Sequence, residues 1–481
     1  MSTPNHYRLP TEGQPPEALL EQMSNFKSED VNWQEGRTWS LVYHLGPEHD
    51  ALLKAASNLY FSESYINPFA FKSLQRMERE LIQMAAGLLN GDDGVCGTVT
   101  SGGTESIFLA VYTYRERARK AGKLRSGAEI VLPVTAHPAF EKAAHLLGLK
   151  TVKTPVDEDG RADVEAMRKR LTKRTLMLVA SAPSYPHGLL DPLPEIAALA
   201  QNHGLPLHVD ACIGGFMLPW VERLRPGRLP AWDFRLPGVT SMSADTHKFA
   251  YGAKGSSILL YRSIDYLRHQ FYVSTDWPGG IYASATFQGS RSGGPIAAAW
   301  AAMHALGEAG YLRIGEGLLS GSERLQSAIR NIPGLQIIGQ PCMNILAFRS
   351  SDKQTDTFVI ADQLEAKGWV MDRQQRPDCI HLTVMQQHLE QLDTFINDLQ
   401  EAVAFAQKHP GAKSQGNAAL YGVMARLPMR GMVARSVRQL YEQLYSSKPS
   451  GEDSQEGTAS PEPAWWMGPL NRLLSRWPFS R

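Results

Sequence analysis

From about Phe69 onward the chain alternates between two hydrophobic rhythms. In AFKSLQRMERELIQMAAGLL the apolar residues recur every three or four positions, which predicts a helix stopping at Asn90-Gly91. CGTVTSGGTESIFLAVYTYRERARKAG then predicts a strand, a Gly-rich turn and a helix. EIVLP predicts a short strand, and HPAFEKAAHLLG a helix closed by Gly148. KTVKTP, TLMLVA, LPLHVDA and GVTSMSAD continue as strands, with RADVEAMRKRL and LPEIAALAQNHG as helices among them. This alternation predicts an α/β protein with a mainly parallel sheet covered by helices. Such sheets place their ligands at the carboxyl ends of the strands.

After about Ala309 the texture changes. LQIIG, NILAFRS and CIHLTVM read as strands, and TDTFVIADQLEAKG and HLEQLDTFINDLQEAVAFAQKH contain helices, which predicts a smaller α+β domain. A further helical segment is expected in GNAALYGVMARLPMRGMVARSVRQLYEQLYS. The expected division is an N-terminal segment 1–66, a large domain 67–308, a small domain 309–446, and a linker with a Trp/Arg-rich tail 447–481. SKPSGEDSQEGTASPEPA has the composition of a disordered linker. In the tail, Trp466, Leu470, Leu473, Leu474 and Trp477 share one helical face. Weak contact with a membrane surface and docking on the protein's own surface are both open for it.

Composition narrows the partners. At 481 residues the chain is long enough for two domains, and 43% hydrophobic with 20% charged residues describes a globular protein. A formal net charge of +1 gives no basic field, so no nucleic-acid partner is expected. The four cysteines form no CxxC pair, no metal site is expected, and unpaired thiols in a reducing compartment are the simpler reading. The polar, Pro-broken N-terminus has no apolar core of a signal peptide, so a cytoplasmic protein is expected.

Four pieces of this framework carry chemistry. TSGGTES, residues 100–106, lies between a strand and a helix, where glycines and free N–H groups suit a phosphate. Asp210 ends the apolar strand of LPLHVDA, where a carboxylate calls for a cation such as a protonated pyridine. Lys248, in SADTHKFAYGAKGSS, follows Asp210 by 38 residues and a further strand, and a lysine in a cleft suits imine chemistry. His137 follows EIVLP and offers a flat ring to a flat cofactor. Taken singly, each has a structural alternative: a capped turn, an Asp capping a loop, a solvated lysine, a helix-capping histidine. As an ordered set at strand ends they point to pyridoxal 5'-phosphate.

TSGGTESI, AHPAFEKAA, HVDACIGGF, SADTHKFAYGAKGSSILLY and TDWPGGIYASATFQGSRSGG closely resemble the sphingosine-1-phosphate lyases, which are fold type I pyridoxal-phosphate enzymes related to the group II decarboxylases. The resemblance runs from about Tyr43 to about Tyr445 and takes in the lyase-like ALYGVMARLPMRGMV. It implies a fold type I, transferase-like architecture and cleavage of the C2–C3 bond of a phosphorylated sphingoid base. Lys248 would form the Schiff base, Asp210 would pair with the ring nitrogen, and His137 would stack on the ring. Gly103, Thr104 and His247 would surround the cofactor phosphate. Lys254, Ser290 and Tyr43 would meet the substrate phosphate, with Lys254 also able to shuttle protons, and Tyr185 would sit near the reacting carbons. The resemblance further implies a homodimer, with Gly289 and Tyr43 contributed by the neighbouring subunit.

One stretch departs from the family. Its NPLHPD, whose histidine faces the substrate phosphate, is here INPFAFKSL, which keeps Asn67 and Pro68 and lacks the histidine. A shifted phosphate, another head group or a carboxylate substrate are all compatible with that change. Amino-acid decarboxylation is therefore the alternative, with Arg291 as the residue able to orient a carboxylate.

Overall fold

The structure, a computed structural model, describes residues 9–412, 414 and 430–445. The linker and tail at 447–481, and most of ALYGVMARLPMRGMV, lie outside the described residues. Seven strands form the large sheet: β1 (Cys96–Thr100), β2 (Glu129–Pro133), β3 (Lys150–Thr154), β4 (Thr175–Ser181), β5 (Leu207–Asp210), β6 (Val239–Ala244) and β7 (Ser257–Tyr261). Their order is β1-β7-β6-β5-β4-β2-β3, with β7 antiparallel to both its neighbours and the remaining pairs parallel. The central strands β2, β5, β6 and β7 are buried along their whole length, as a sheet covered on both faces requires. Each expected strand of the large domain is present.

The helix expected before β1 spans Lys72–Leu88 and buries Leu74, Met77, Leu81, Ala85 and Ala86, one stripe at three- and four-residue spacing. It ends where predicted, because Asn90 takes a positive φ of 53°, a conformation that asparagine tolerates and that closes helices. The helix Gly103–Lys120 follows β1 directly and starts at the Gly-rich turn.

A second sheet of four strands, Leu335–Ile337, Ile345–Ser350, Cys379–Thr383 and Asp372–Gln374, packs with the helices Thr357–Ala366 and Leu392–Lys408 around its own core. A helix from Gly293 to Asn331 links it to the large sheet and is interrupted at Gly307, whose φ of 55° and ψ of −179° are not helical. Among the elements that hydrophobic rhythm alone did not reveal are the helices Pro16–Lys27 and Pro47–Leu59, the hairpin Tyr272–Ser274 with Tyr282–Ser284, and the three-residue strand Asp372–Gln374. All are short or amphipathic only in context.

Candidate active site

β1, β2, β5 and β6 run in one direction, so everything that follows them lies on one edge of the sheet. The Gly-rich turn follows β1, His137 follows β2, Asp210 is the last residue of β5, and Lys248 follows β6. A cavity of about 390 Å³ opens at that edge, within the size range of small-molecule sites. Gly103, Thr104, His137, Tyr185, Asp210, His247 and Lys248 all line it. Residues separated by more than a hundred positions therefore share one cleft, as the strand-end rule predicts.

The anion-binding end is built from the start of the Gly103–Lys120 helix. Gly102 holds a φ of 152°, which a side chain rarely adopts, and a Cβ at Gly103 would fall 2.8 Å from both Asp245 Oδ2 and Cys212 Sγ. The bare backbone thus presents its N–H groups to the cavity where a bulkier residue would fill it. His247 stands opposite, its Nδ1 2.7 Å from the Ser256 carbonyl oxygen. Burial lowers the His247 pKa, and the nearby Asp245 carboxylate opposes that shift.

At the other end, Asp210 Oδ1 accepts from the Cys212 N–H at 3.1 Å and from the Ser243 hydroxyl at 3.5 Å. These bonds orient the carboxylate. Burial pushes the Cys212 thiol well above its ordinary pKa, with Asp210 and Asp245 adding to the effect, so the thiol stays neutral. His137 Nδ1 accepts from the Ala139 N–H at 3.2 Å, which places the proton of the neutral ring on Nε2.

The sequence reading missed Asp245. Its Oδ2 lies 2.8 Å from Lys248 Nζ, three residues away in SADTHK. Burial works against charge on Lys248, yet the Asp245 carboxylate holds its pKa above the ordinary lysine range. A carboxylate three residues before the lysine was the signal available. Asp372 was missed as well: it sits on a strand of the small sheet and accepts from the Tyr185 hydroxyl at 2.8 Å. Nothing local in the sequence links those two residues.

Within this chain the Tyr43 ring lies 5.1 Å from Phe249 and 4.9 Å from Lys254 Nζ. The loop that carries it is pinned locally, because Lys254 Nζ donates to the Leu41 carbonyl at 3.1 Å. Tyr43 is pushed up to about pKa 12, chiefly by burial. Gly289 and Ser290 lie outside this cavity, on a loop where a Cβ at Gly289 would meet the Tyr282 hydroxyl and Ile66. The neighbouring Arg291 is bound to Glu78 through Nη1 at 2.8 Å and Nη2 at 3.1 Å, and donates to the Val99 carbonyl at 2.9 Å. It is thus unavailable to orient a substrate carboxylate.

The cleft offers an anion cradle, a directed carboxylate, a flat ring and a lysine, which is the donor set that pyridoxal 5'-phosphate requires. Residues 50–351 match the family of the pyridoxal-dependent decarboxylase conserved domain. A glutamate decarboxylase of Lactobacillus brevis shares the fold at a TM-score of 0.73 and 20% identity, over 85% of this chain and 96% of that one. Fold and site together define a pyridoxal-phosphate-dependent enzyme of fold type I.

Closer relatives narrow the class. Sphingosine-1-phosphate lyase 1 of Rattus norvegicus is 39% identical over 457 residues, 95% of this chain and 80% of the relative. The sphingosine-1-phosphate lyase of Arabidopsis thaliana is 41% identical over 424 residues, 86% of this chain and 77% of the relative. A solved sphingosine-1-phosphate lyase of Burkholderia pseudomallei superposes with a TM-score of 0.83 at 37% identity, over 92% of this chain and 97% of that one. The chain belongs to the sphingosine-1-phosphate lyase family.

Proposed function

We propose that this protein is a lyase that cleaves the C2–C3 bond of a phosphorylated sphingoid base, yielding a long-chain aldehyde and phosphoethanolamine. One observation carries the reading: identity to sphingosine-1-phosphate lyases runs across the chain and through the cleft where Lys248, Asp210 and His137 converge. The decarboxylase alternative rests on the wider superfamily alone, and its one candidate carboxylate partner, Arg291, is committed to Glu78.

The chemistry supplied by bound pyridoxal phosphate is an aldehyde that captures amines and a ring that accepts an electron pair. Lys248 is the amine placed to hold that aldehyde carbon. Asp210 would pair with the ring nitrogen and favour its protonated, electron-accepting form. His137 would wall the flat group, while Gly103, Thr104 and His247 would hold its phosphate. Cleavage also requires loss of the proton on the substrate's C3 hydroxyl. The Tyr185 hydroxyl donates a hydrogen bond to Asp372, and its pKa is raised by burial and by that carboxylate, which disfavours it as the base. Lys254, its pKa lowered by its protein surroundings and by the charge of Lys248, is the better proton acceptor.

Tyr43 and Lys254 form the rim that would receive the substrate phosphate in place of the histidine absent from INPFAFKSL. Gly289 and Ser290 would complete the partner's site in a homodimer. Their loop adjoins Ile66 outside the chain's own cavity and carries the exposed Phe287, which supports that arrangement. The four cysteines are unpaired, in keeping with work in the cytoplasm. Membrane contact through the 465–481 tail belongs to the same proposal as a route to a lipid substrate.

The test is incubation of the reconstituted protein with a phosphorylated sphingoid base and, separately, with a panel of amino acids. Long-chain aldehyde from the lipid is the expected product. Carbon dioxide from an amino acid with no aldehyde from the lipid overturns the proposal.

A further inference from the structure

Lys248 lines the cleft and the exposed Lys254 stands beyond it, and the two differ in one respect that their sequence context does not explain. Lys248 Nζ is paired with a buried carboxylate, Asp245 Oδ2, at 2.8 Å. Lys254 Nζ forms no ion pair with a carboxylate of the described residues; it donates to the Leu41 carbonyl and rests over the Tyr43 ring.

Asp245 is held rigidly where β6 ends. Its N–H donates to the Cys212 carbonyl at 3.1 Å, its side chain is 2% exposed, and the absence of a Cβ at Gly103 leaves room for its oxygens. Oδ1 is shielded from solvent and has no hydrogen-bond partner. An unsatisfied buried acceptor costs about 1–3 kcal/mol, so the carboxylate is a poor choice for packing alone. It also lines the cavity, with His247 Nε2 at 3.7 Å from Oδ2.

We propose that Asp245 is a positioning residue that clamps Lys248 beside the cofactor cradle as the charged member of the pair and so leaves Lys254 as the lysine that exchanges protons. This deepens the lyase reading and rests on Lys248 being the cofactor lysine. The charged and titratable groups facing Lys248 are Asp245, Cys212, Tyr43, Tyr185, His247 and Lys254. Of these Asp245 is the one bonded to its amine. Cys212 and Tyr43 have raised pKa values and stay neutral near neutral pH, so they cannot substitute for it. The two lysines are shifted in opposite directions, Lys248 upward by Asp245 against its burial and Lys254 downward by its surroundings and by Lys248. A positive charge fixed on the first keeps the second from holding its proton.

The experiment uses the full chain freed of cofactor, trace-labelled with acetic anhydride over a pH series, with acetylation of each lysine read by peptide mass spectrometry. Lys254 is expected to become reactive at lower pH than Lys248, by at least about one unit, which is about tenfold in the fraction of free amine. Asp245→Asn is expected to raise Lys248 labelling by about tenfold at fixed pH and to move its midpoint down. Asp210→Asn should leave that midpoint where it is. A lysine that is merely buried would label slowly without a raised midpoint, so coincident wild-type midpoints overturn the proposal. A Lys248 midpoint unmoved in folded Asp245→Asn protein overturns it too. Should that variant fail to fold, the wild-type comparison decides alone. Failure of the underlying reading shows separately, as a visible absorption band that survives Lys248→Ala after reconstitution with pyridoxal phosphate.

Discussion

The Tyr185 hydroxyl donates to Asp372 Oδ2 at 2.8 Å, joining a cavity wall of the large sheet to an edge strand of the small one. The ring of Tyr185 also packs on His381, 4.5 Å between centroids, and His381 faces Asp372 across the two strands. The phenol proton points at Asp372, so the substrate meets an oxygen lone pair. Tyr185→Phe is expected to raise KM more than it lowers kcat, since an acceptor for the substrate's amine or hydroxyl is lost. Asp372→Asn should cost less, about threefold to tenfold in kcat/KM, about 1 kcal/mol, because the phenol keeps a partner. Steady-state kinetics of the two variants and their double mutant check both points. Equal, additive losses would show that the pair does not act as a unit.

Arg291 and Glu78 form a bidentate pair with side chains 14% and 13% exposed, and Glu78 Oε1 also accepts from the Val99 N–H. Arg291 lies over the Tyr65 ring at 4.6 Å. Removing one partner strands the other charge, so Arg291→Ala is expected to lose about 3 kcal/mol of unfolding free energy. Urea unfolding measures it. The double variant Arg291→Met with Glu78→Leu should recover part of the loss.

A shared-site dimer makes different demands on Gly289 and Tyr43. A Lys248→Ala chain paired with a Gly289→Arg chain should regain one working site, and hence up to half the activity of an equal number of wild-type dimers. A Lys248→Ala chain paired with a Tyr43→Phe chain should regain no more than the residual activity of Tyr43→Phe, because Tyr43 serves the chain that carries it. Activity of purified, tagged heterodimers distinguishes the two cases.

Acid sensitivity follows from three buried histidines. Burial holds His187, His208 and His388 each at a pKa of about 4, below the unfolded value of 6.5. As pH falls through 6.5 the unfolded chain binds protons first, so their contribution is present above that value and lost by about pH 4. Asp191, raised by burial to about 6, acts in the opposite sense and regains stability over part of the same window. The histidines outnumber it, and the net expectation is a loss on the order of 3 kcal/mol between about pH 7 and about pH 5. Urea titrations at several pH values test this, and His208→Asn should flatten the slope.

The strand-end positions of Lys248, Asp210, His137 and the Gly-rich turn were legible in the sequence. Each sits where a hydrophobic run ends, and both the run and its ending are local properties. The Asn90 helix stop and the longer parallel strands of the large sheet were legible for the same reason. Asp372 was not, because a three-residue strand has too little rhythm to be recognised and its partner is 187 positions away. Arg291 could be offered as a carboxylate partner in the sequence because its pairing with Glu78 depends on how the Lys72–Leu88 helix lies on the sheet. The packing of Tyr43 on Phe249 and Lys254 was not legible, because no local pattern records where an N-terminal loop will lie.

The sequence by itself determined the kind of chemistry, because residue types at strand ends are fixed by short-range order. Tertiary structure alone decided which carboxylate faces which lysine. At 2.8 Å a buried ion pair fixes where the proton resides, and that distance is set by the packing of β6, the Gly103 turn and the Tyr43 loop together.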